Sequence, residues 1–243
     1  MVRSEPLTGL QCLAKAYPEF IESVQENALL SRSGQTYLYD TKLKEDSFQK
    51  LLDVADLKIQ MSQPYPQEPL KTRPERDSDP GRLRSGKFFA DMYGATASEV
   101  QQNLQRIYWE PCDCELTFSK INGAAKALEA VGKQIALDPE AARYVSKPNG
   151  TFNWRRIQAT SRPSVHSYAI AIDFALPAQL NAYWLWSGCR AGQACTYPDS
   201  LMTDPVMARV VRAFEAQGFI WGGKWYHFDS VHFEYRPELA GPA

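Results

Sequence analysis

Apolar residues recur at helical spacing in SFQKLLDVADL, where Phe48, Leu51, Leu52 and Ala55 share one face, so an amphipathic helix is predicted after a short strand or turn at TYLYD. The periodicity then stops. PYPQEPLKTRPERDSDP, from Pro64 to Pro80, is proline-rich and charged, and reads either as a linker or as an ordered arm wrapped on the rest of the chain. KFFADMYG predicts a short helix ended by Gly94, and Thr96 with Glu99 forms a capping-box pattern ahead of Val100, Leu104 and Ile107. CELTF predicts a strand. Asn122 is placed to cap a further helix, whose Leu128, Val131 and Ile135 form an apolar stripe.

Beyond this point the pattern changes. SYAIAIDFAL predicts a buried strand and AYWLW an aromatic strand or core segment. Asp204 and Pro205 open a helix carrying Val206, Val210, Val211 and Phe214 until Gly218. FIWGG, KWYHF and VHFEY predict two or three short strands with Gly222 and Gly223 at a turn. The expected fold is α+β, with helices packed on a small antiparallel sheet. The expected organisation is an N-terminal appendage and proline-rich arm over residues 1–80, followed by the main domain over 81–243.

The 243 residues suffice for a core that folds without metal or disulfide, so a bound metal is expected to be there for chemistry. A formal charge of -1, from 27 basic and 28 acidic residues with no basic stripe, argues against nucleic acid as partner. No stretch approaches a membrane span, and MVRSEPLTGLQCLAKAYPEF has no apolar leader core. A monomer is expected. Cys189 and Cys195 bracket the short polar loop RAGQA and are candidates for a disulfide, which implies an oxidising compartment. Cys112 and Cys114 are expected to be too close for an easy mutual bridge, and Cys12 either pairs with one of them or stays reduced.

The three histidines, His166, His227 and His232, all fall in or beside the strand-like segments of the C-terminal part. His166 precedes Asp173, and Asp229 precedes His232. Positions separated by seven point to opposite faces of a regular strand, so for His166 and Asp173 to grip one ion the histidine must sit on the preceding turn, which Pro163 and Ser164 favour. A turn at Asp229 and Ser230 likewise lets His232 project from the strand while Asp229 comes from its mouth. His166, Asp173 and His232 would leave a fourth position of a tetrahedral zinc ion for water, with Asp229 free to accept its proton.

The blocks Ser164-Val165-His166-Ser167-Tyr168-Ala169-Ile170-Ala171-Ile172-Asp173 and Asp229-Ser230-Val231-His232-Phe233-Glu234-Tyr235 resemble the signatures SxHxxGxAxD and DxxHFEY. These belong to the VanY-like zinc D-alanyl-D-alanine carboxypeptidases and endopeptidases of the M15 peptidases. The resemblance implies zinc ligands at His166, Asp173 and His232, a catalytic acid or base at Asp229, and peptidoglycan stem peptides as substrate. FNWRRIQATSR resembles the family segment that bears an arginine before the first ligand. Arg156 is the expected arginine for substrate or oxyanion, ahead of Arg155 and Arg162. One departure stands out: Ala169 occupies a position where the family commonly has glycine, which matters if φ there is positive.

Other side chains carry two readings. Glu234 either orients a ligand imidazole through its second nitrogen or pairs with Arg236 or a lysine. Ser164 lacks the surroundings of a serine nucleophile and is expected to hydrogen-bond substrate. Trp225 is the expected aromatic contact to substrate, Trp184 and Trp186 are assigned to the core, and His227 to a partly exposed strand position. The expected activity is zinc-dependent removal of a terminal D-alanine. The alternatives are an endopeptidase cutting within the stem and a wall-binding module that no longer cuts. The expected location is periplasmic or secreted, with the export leader absent from the given chain.

Overall fold

The computed structural model describes residues 8–45, 47–157, 160–190 and 192–241. Helix α1 (Gly9–Ala16) starts at a reciprocal cap, in which the Thr8 hydroxyl accepts from Gln11 N and Gln11 Oε1 accepts from Thr8 N. An antiparallel sheet follows, β1 (Ile21–Gln25), β2 (Ala28–Ser31) and β3 (Thr36–Leu38). Only the β3 region was marked by the sequence pattern. β1 escaped because all of it but Ile21 is exposed, so its alternation of apolar and polar residues is weak.

The predicted amphipathic helix is divided into α2 (Phe48–Val54) and α3 (Leu57–Gln60). Asp56 restarts it by accepting from Ile59 N at 2.9 Å. No regular element lies between Gln60 and Gly86. Helix α4 (Gly86–Tyr93) ends at Gly94 as expected. Helix α5 (Ala97–Gln102) is capped by Thr96, but the Glu99 carboxylate accepts from Ala95 N, so the box is not reciprocal. Leu104 and Ile107, expected on that helix, lie instead in β4 (Leu104–Trp109), paired with β5 (Cys114–Ser119) from Leu104↔Ser119 to Trp109↔Cys114. Pairing with a distant strand overrides the local helical spacing.

At the tip of this hairpin Asp113 takes a left-handed conformation that brings the Cα atoms of Cys112 and Cys114 to 5.3 Å. The two are joined in a disulfide, contrary to expectation, and Cys12 is in neither bridge. Asn122 is also not a helix cap. It sits at φ 52 within a 3₁₀ turn, and Gly123 is the residue preceding α6 (Ala124–Ala136).

After α7 (Pro139–Tyr144), the strands β6 (Pro148–Gly150) and β7 (Ala171–Phe174) enter the main sheet. α8 (Ser200–Thr203) and α9 (Pro205–Glu215) lead to β8 (Phe219–Trp221) and β9 (His232–Tyr235), with α10 (Pro237–Ala240) last. The antiparallel order is β6-β7-β9-β8, which with the packed helices makes the fold α+β. AYWLW and KWYHF are not strands: the first is a turn beyond an isolated bridge at Tyr183, and the second runs irregularly from Trp225.

One face of β9 builds the core. Phe233 stacks on Phe214 of α9 at 4.0 Å between centroids, and Phe214 in turn meets Phe174 and Phe219 edge-on. Removing a fully buried ring such as Phe214 costs about 3–5 kcal/mol. The opposite face of the same strands carries His232, Glu234 and Asp173.

The described residues before position 81 are tied into this body. Leu13, Leu29 and Tyr37 belong to the same buried cluster as Phe214. Gln60 donates to Glu238, Trp225 Nε1 donates to the Pro80 carbonyl at 2.7 Å, and Tyr226 N donates to the Ser78 carbonyl at 2.9 Å. Among the described residues no helix is long and apolar enough to cross a membrane.

Candidate metal centre and its cleft

Asp173 and His232 are direct cross-strand partners on β7 and β9, so their side chains rise from the same face. His166 reaches them from a 3₁₀ turn, Val165–Tyr168, outside the strand. That turn closes at Ala169, whose φ of 55 and ψ of 37 are left-handed, with its N–H donating to the His166 carbonyl at 3.1 Å. The positive φ explains what glycine offers at this position. Alanine adopts the conformation at a cost of roughly 1–2 kcal/mol, and His166 is still delivered to the cluster.

His166, Asp173 and His232 each present a ligand atom, and these atoms lie within 4.8 Å of one another. The buried His166 ring faces the Thr151 carbonyl through Nδ1 at 3.1 Å, so Nδ1 carries the proton and donates it. The other nitrogen, Nε2, is 3.2 Å from Asp173 Oδ2 but out of hydrogen-bond alignment, and it has no hydrogen-bond partner among the described residues. A buried ring nitrogen is thus left unsatisfied beside a carboxylate and a second imidazole, an arrangement that a cation among the three resolves.

His232 is held between carboxylates. Nδ1 is 2.9 Å from Asp173 Oδ1 and Nε2 is 3.1 Å from Glu234 Oε2. Burial alone would lower the His232 pKa, but the hydrogen bonds to Asp173 and Glu234 more than reverse this, to about 10. Burial likewise disfavours ionised Asp173, yet the two imidazoles hold its carboxyl far below the usual range. The centre thus calls for positive charge, and its imidazole and carboxylate donors are those of zinc sites.

Glu234 makes both of the contacts considered for it. One oxygen meets His232 and the other meets Arg236 Nη1 at 2.9 Å. Arg236 is itself fully buried, bonded to Glu238 at 2.7 Å and to the Gly81 carbonyl at 2.7 Å. The carboxylate behind His232 is therefore anchored from both ends.

Asp229 precedes β9 and lines the same cleft, half-buried. Its N–H donates to the Gly222 carbonyl at 2.9 Å, and a Cβ at position 222 would come within 2.6 Å of the Asp229 carbonyl oxygen, so glycine is needed for this approach. Burial raises the Asp229 pKa, opposed by the charge of His232 and reinforced by that of Asp173.

The cleft has a volume of about 320 Å³. Ser164 and Trp225 line it, and the Trp225 ring lies 5.8 Å from that of His232. Arg156 is exposed and is not among the lining residues, whereas Arg155, Arg162, Arg82 and Arg84 are. Neighbouring residues in extended chain face opposite ways, and Arg156 instead pairs by its backbone with Pro163. Arg82 and Arg84 escaped the sequence reading because they come from the segment just after the proline-rich arm, with no motif around them. Trp186, assigned to the core, is 72% exposed at the cleft rim beside Tyr183. His227 is buried, not partly exposed. It bonds Asp79 through Nδ1 at 2.6 Å and stacks on Phe48, away from the lining.

Fold and centre together define the class, an α+β protein with a histidine–aspartate cluster at the floor of a cleft. Residues 158–235, less than half of the chain, match the family model described as D-alanyl-D-alanine carboxypeptidase, of the M15 peptidases, so the resemblance carried by the two sequence blocks holds over that segment. No curated protein and no solved structure matches the chain.

Proposed function

We propose that the protein is a zinc-dependent D-alanyl-D-alanine carboxypeptidase acting on peptidoglycan stem peptides. The carrying observation is that His166, Asp173 and His232 bring ligand atoms within 4.8 Å of one another, with the buried His166 Nε2 3.2 Å from Asp173 Oδ2 and in no hydrogen bond among the described residues. His166 through Nε2, Asp173, and His232 through Nδ1 would hold the ion, with Glu234 fixing the His232 ring. Zinc, when bound, supplies Lewis acidity toward a peptide carbonyl and makes water a stronger acid.

The chain's own groups do the rest. Asp229 accepts the proton of the attacking water and returns it to the leaving amine, a task suited to a carboxylate whose pKa burial has raised. The four arginines at the cleft supply positive charge for the free carboxylate that distinguishes a terminal D-alanine from an internal residue. Of the arginines in the segment before the first ligand, Arg155 lines the cleft and Arg156 does not, which supports Arg155 for the substrate-facing role. Ser164 and Trp225 form the wall against which the peptide lies. The bridges Cys112–Cys114 and Cys189–Cys195 support a periplasmic or secreted location.

Incubation of zinc-loaded protein with defined stem peptides, with and without chelator, tests the reading by product mass. Free D-alanine that disappears on chelation is expected. An internal cut would assign an endopeptidase, and intact peptides would leave a wall-binding module.

A further inference from the structure

Arg162 Nε lies 3.1 Å from Oδ1 of Asp53, an ion pair linking the segment before His166 to α2. The arginine side chain is 18% exposed and the aspartate 53%. Arg162 lines the cleft together with Arg82 and with Leu52, the neighbour of Asp53. The Arg82 guanidinium lies over the Trp225 ring, 4.4 Å from its centroid, and donates to the His227 carbonyl at 2.7 Å. In both arginines Nε is buried and makes no well-aligned hydrogen bond among the described residues. Two guanidinium groups thus share one wall of the cleft: Arg82 is backed by the buried Asp79, 3.7 Å from its Nε, and Arg162 by the outer carboxylate of Asp53.

That carboxylate is lightly anchored. α2 rests on a small apolar cluster of Leu52, Ala55 and Leu83, with Phe48, Leu51 and Ile59 packed around it, separate from the main core. Elements with few buried contacts open at low free energy. A guanidinium presents a planar fork that suits carboxylate oxygens in pairs, and its bond strengthens as water is excluded.

We propose that Arg162 and Arg82 form the carboxylate subsite of the cleft and that Asp53 is its resident counter-charge, displaced from Arg162 when a substrate brings a free carboxylate. The inference rests on the peptidase reading above. Asp53 makes the site selective by competition: a peptide ending in an amide cannot replace it, and one ending in an acid can. Arg162 is then a specificity residue lying outside the zinc cluster, and Asp53 tunes it from the N-terminal segment.

The probes are N-acetylated D-Ala-D-Ala as free acid and as C-terminal amide. Cleavage is followed by product mass, and binding by quenching of tryptophan fluorescence in zinc-loaded Asp229→Asn protein. Asp53→Asn is expected to lower KM and Kd for the acid by about two- to five-fold, the range of an exposed ion pair, with kcat and the amide unchanged. Arg162→Gln, checked for an unaltered melting temperature, is expected to erase the preference for acid over amide. A preference insensitive to both substitutions overturns the subsite, and with cleavage intact the peptidase reading stands. Binding that shifts as described without cleavage keeps the subsite and removes the peptidase reading. Failure of both peptides to bind or react removes both.

Discussion

Asp173 and His232 are hydrogen-bonded across neighbouring strands, Oδ1 to Nδ1 at 2.9 Å, and are each other's register partners. Sheet geometry therefore supplies two thirds of the proposed ligand set, and only His166 has to be delivered from a turn. Since strand registry is rigid, loss of one side chain leaves the others in place.

His166→Ala is expected to lose stoichiometric zinc, as measured by elemental analysis after gel filtration. His227→Ala is expected to keep it and to lose stability instead, because the fully buried Asp79 would lose the hydrogen bond that His227 Nδ1 makes with it at 2.6 Å. Loss of a hydrogen bond to a buried carboxylate costs about 1–3 kcal/mol, readable in a denaturant midpoint. The opposite pattern would exchange the roles of the two histidines.

Asp229→Asn preserves shape and removes the proton acceptor. Zinc content should be unchanged while turnover of a stem peptide drops by about 10²–10⁴-fold, the usual contribution of a positioned acid or base. Equal turnover in the variant would defeat the assigned role.

Ala169→Gly relieves a left-handed alanine, which is worth roughly 1–2 kcal/mol, and removes a buried methyl, worth roughly 0.8 kcal/mol. The net expectation is a gain of up to about 1 kcal/mol with unaltered zinc affinity. A marked rise in zinc affinity would mean instead that alanine displaces His166.

Asp138 links α7 to α9 by accepting from Arg209 at 2.6 Å, and it caps α7. The Arg209 hydrogen bond, followed by that of Ala141 N, lowers its pKa. A depressed acid contributes stability above its unfolded value, about 3.9, and the contribution is lost as pH falls through the lower folded value. Asp138→Asn keeps the cap but not the charge. Its melting temperature should lie below that of the wild type at pH 7, and the two should converge as pH falls below about 4. A constant difference across that range would show that the charge is not involved.

Much of the placement of the candidate site was legible because it is local in sequence. The turn residues Pro163 and Ser164 announced that His166 stands outside the strand, and Asp204 with Pro205 marked the start of α9. Other elements were misread where a distant partner decides the outcome. Leu104 and Ile107 fit a helix until β5 claims them as a strand. Trp186 looked like core, yet no element covers it.

By itself the sequence determined residue types, their order and their parity: a histidine on a turn, an acid on a strand, and a histidine and glutamate on one face of another. Those follow from backbone periodicity, which needs no tertiary knowledge. Only the fold decided that β7 pairs with β9 in the register that sets Asp173 beside His232, that Arg82 and Arg84 reach the cleft while Arg156 turns away, and that Asp53 meets Arg162. These depend on contacts between residues far apart in the chain, chosen by burial of Phe214 and its neighbours, and no local pattern records them.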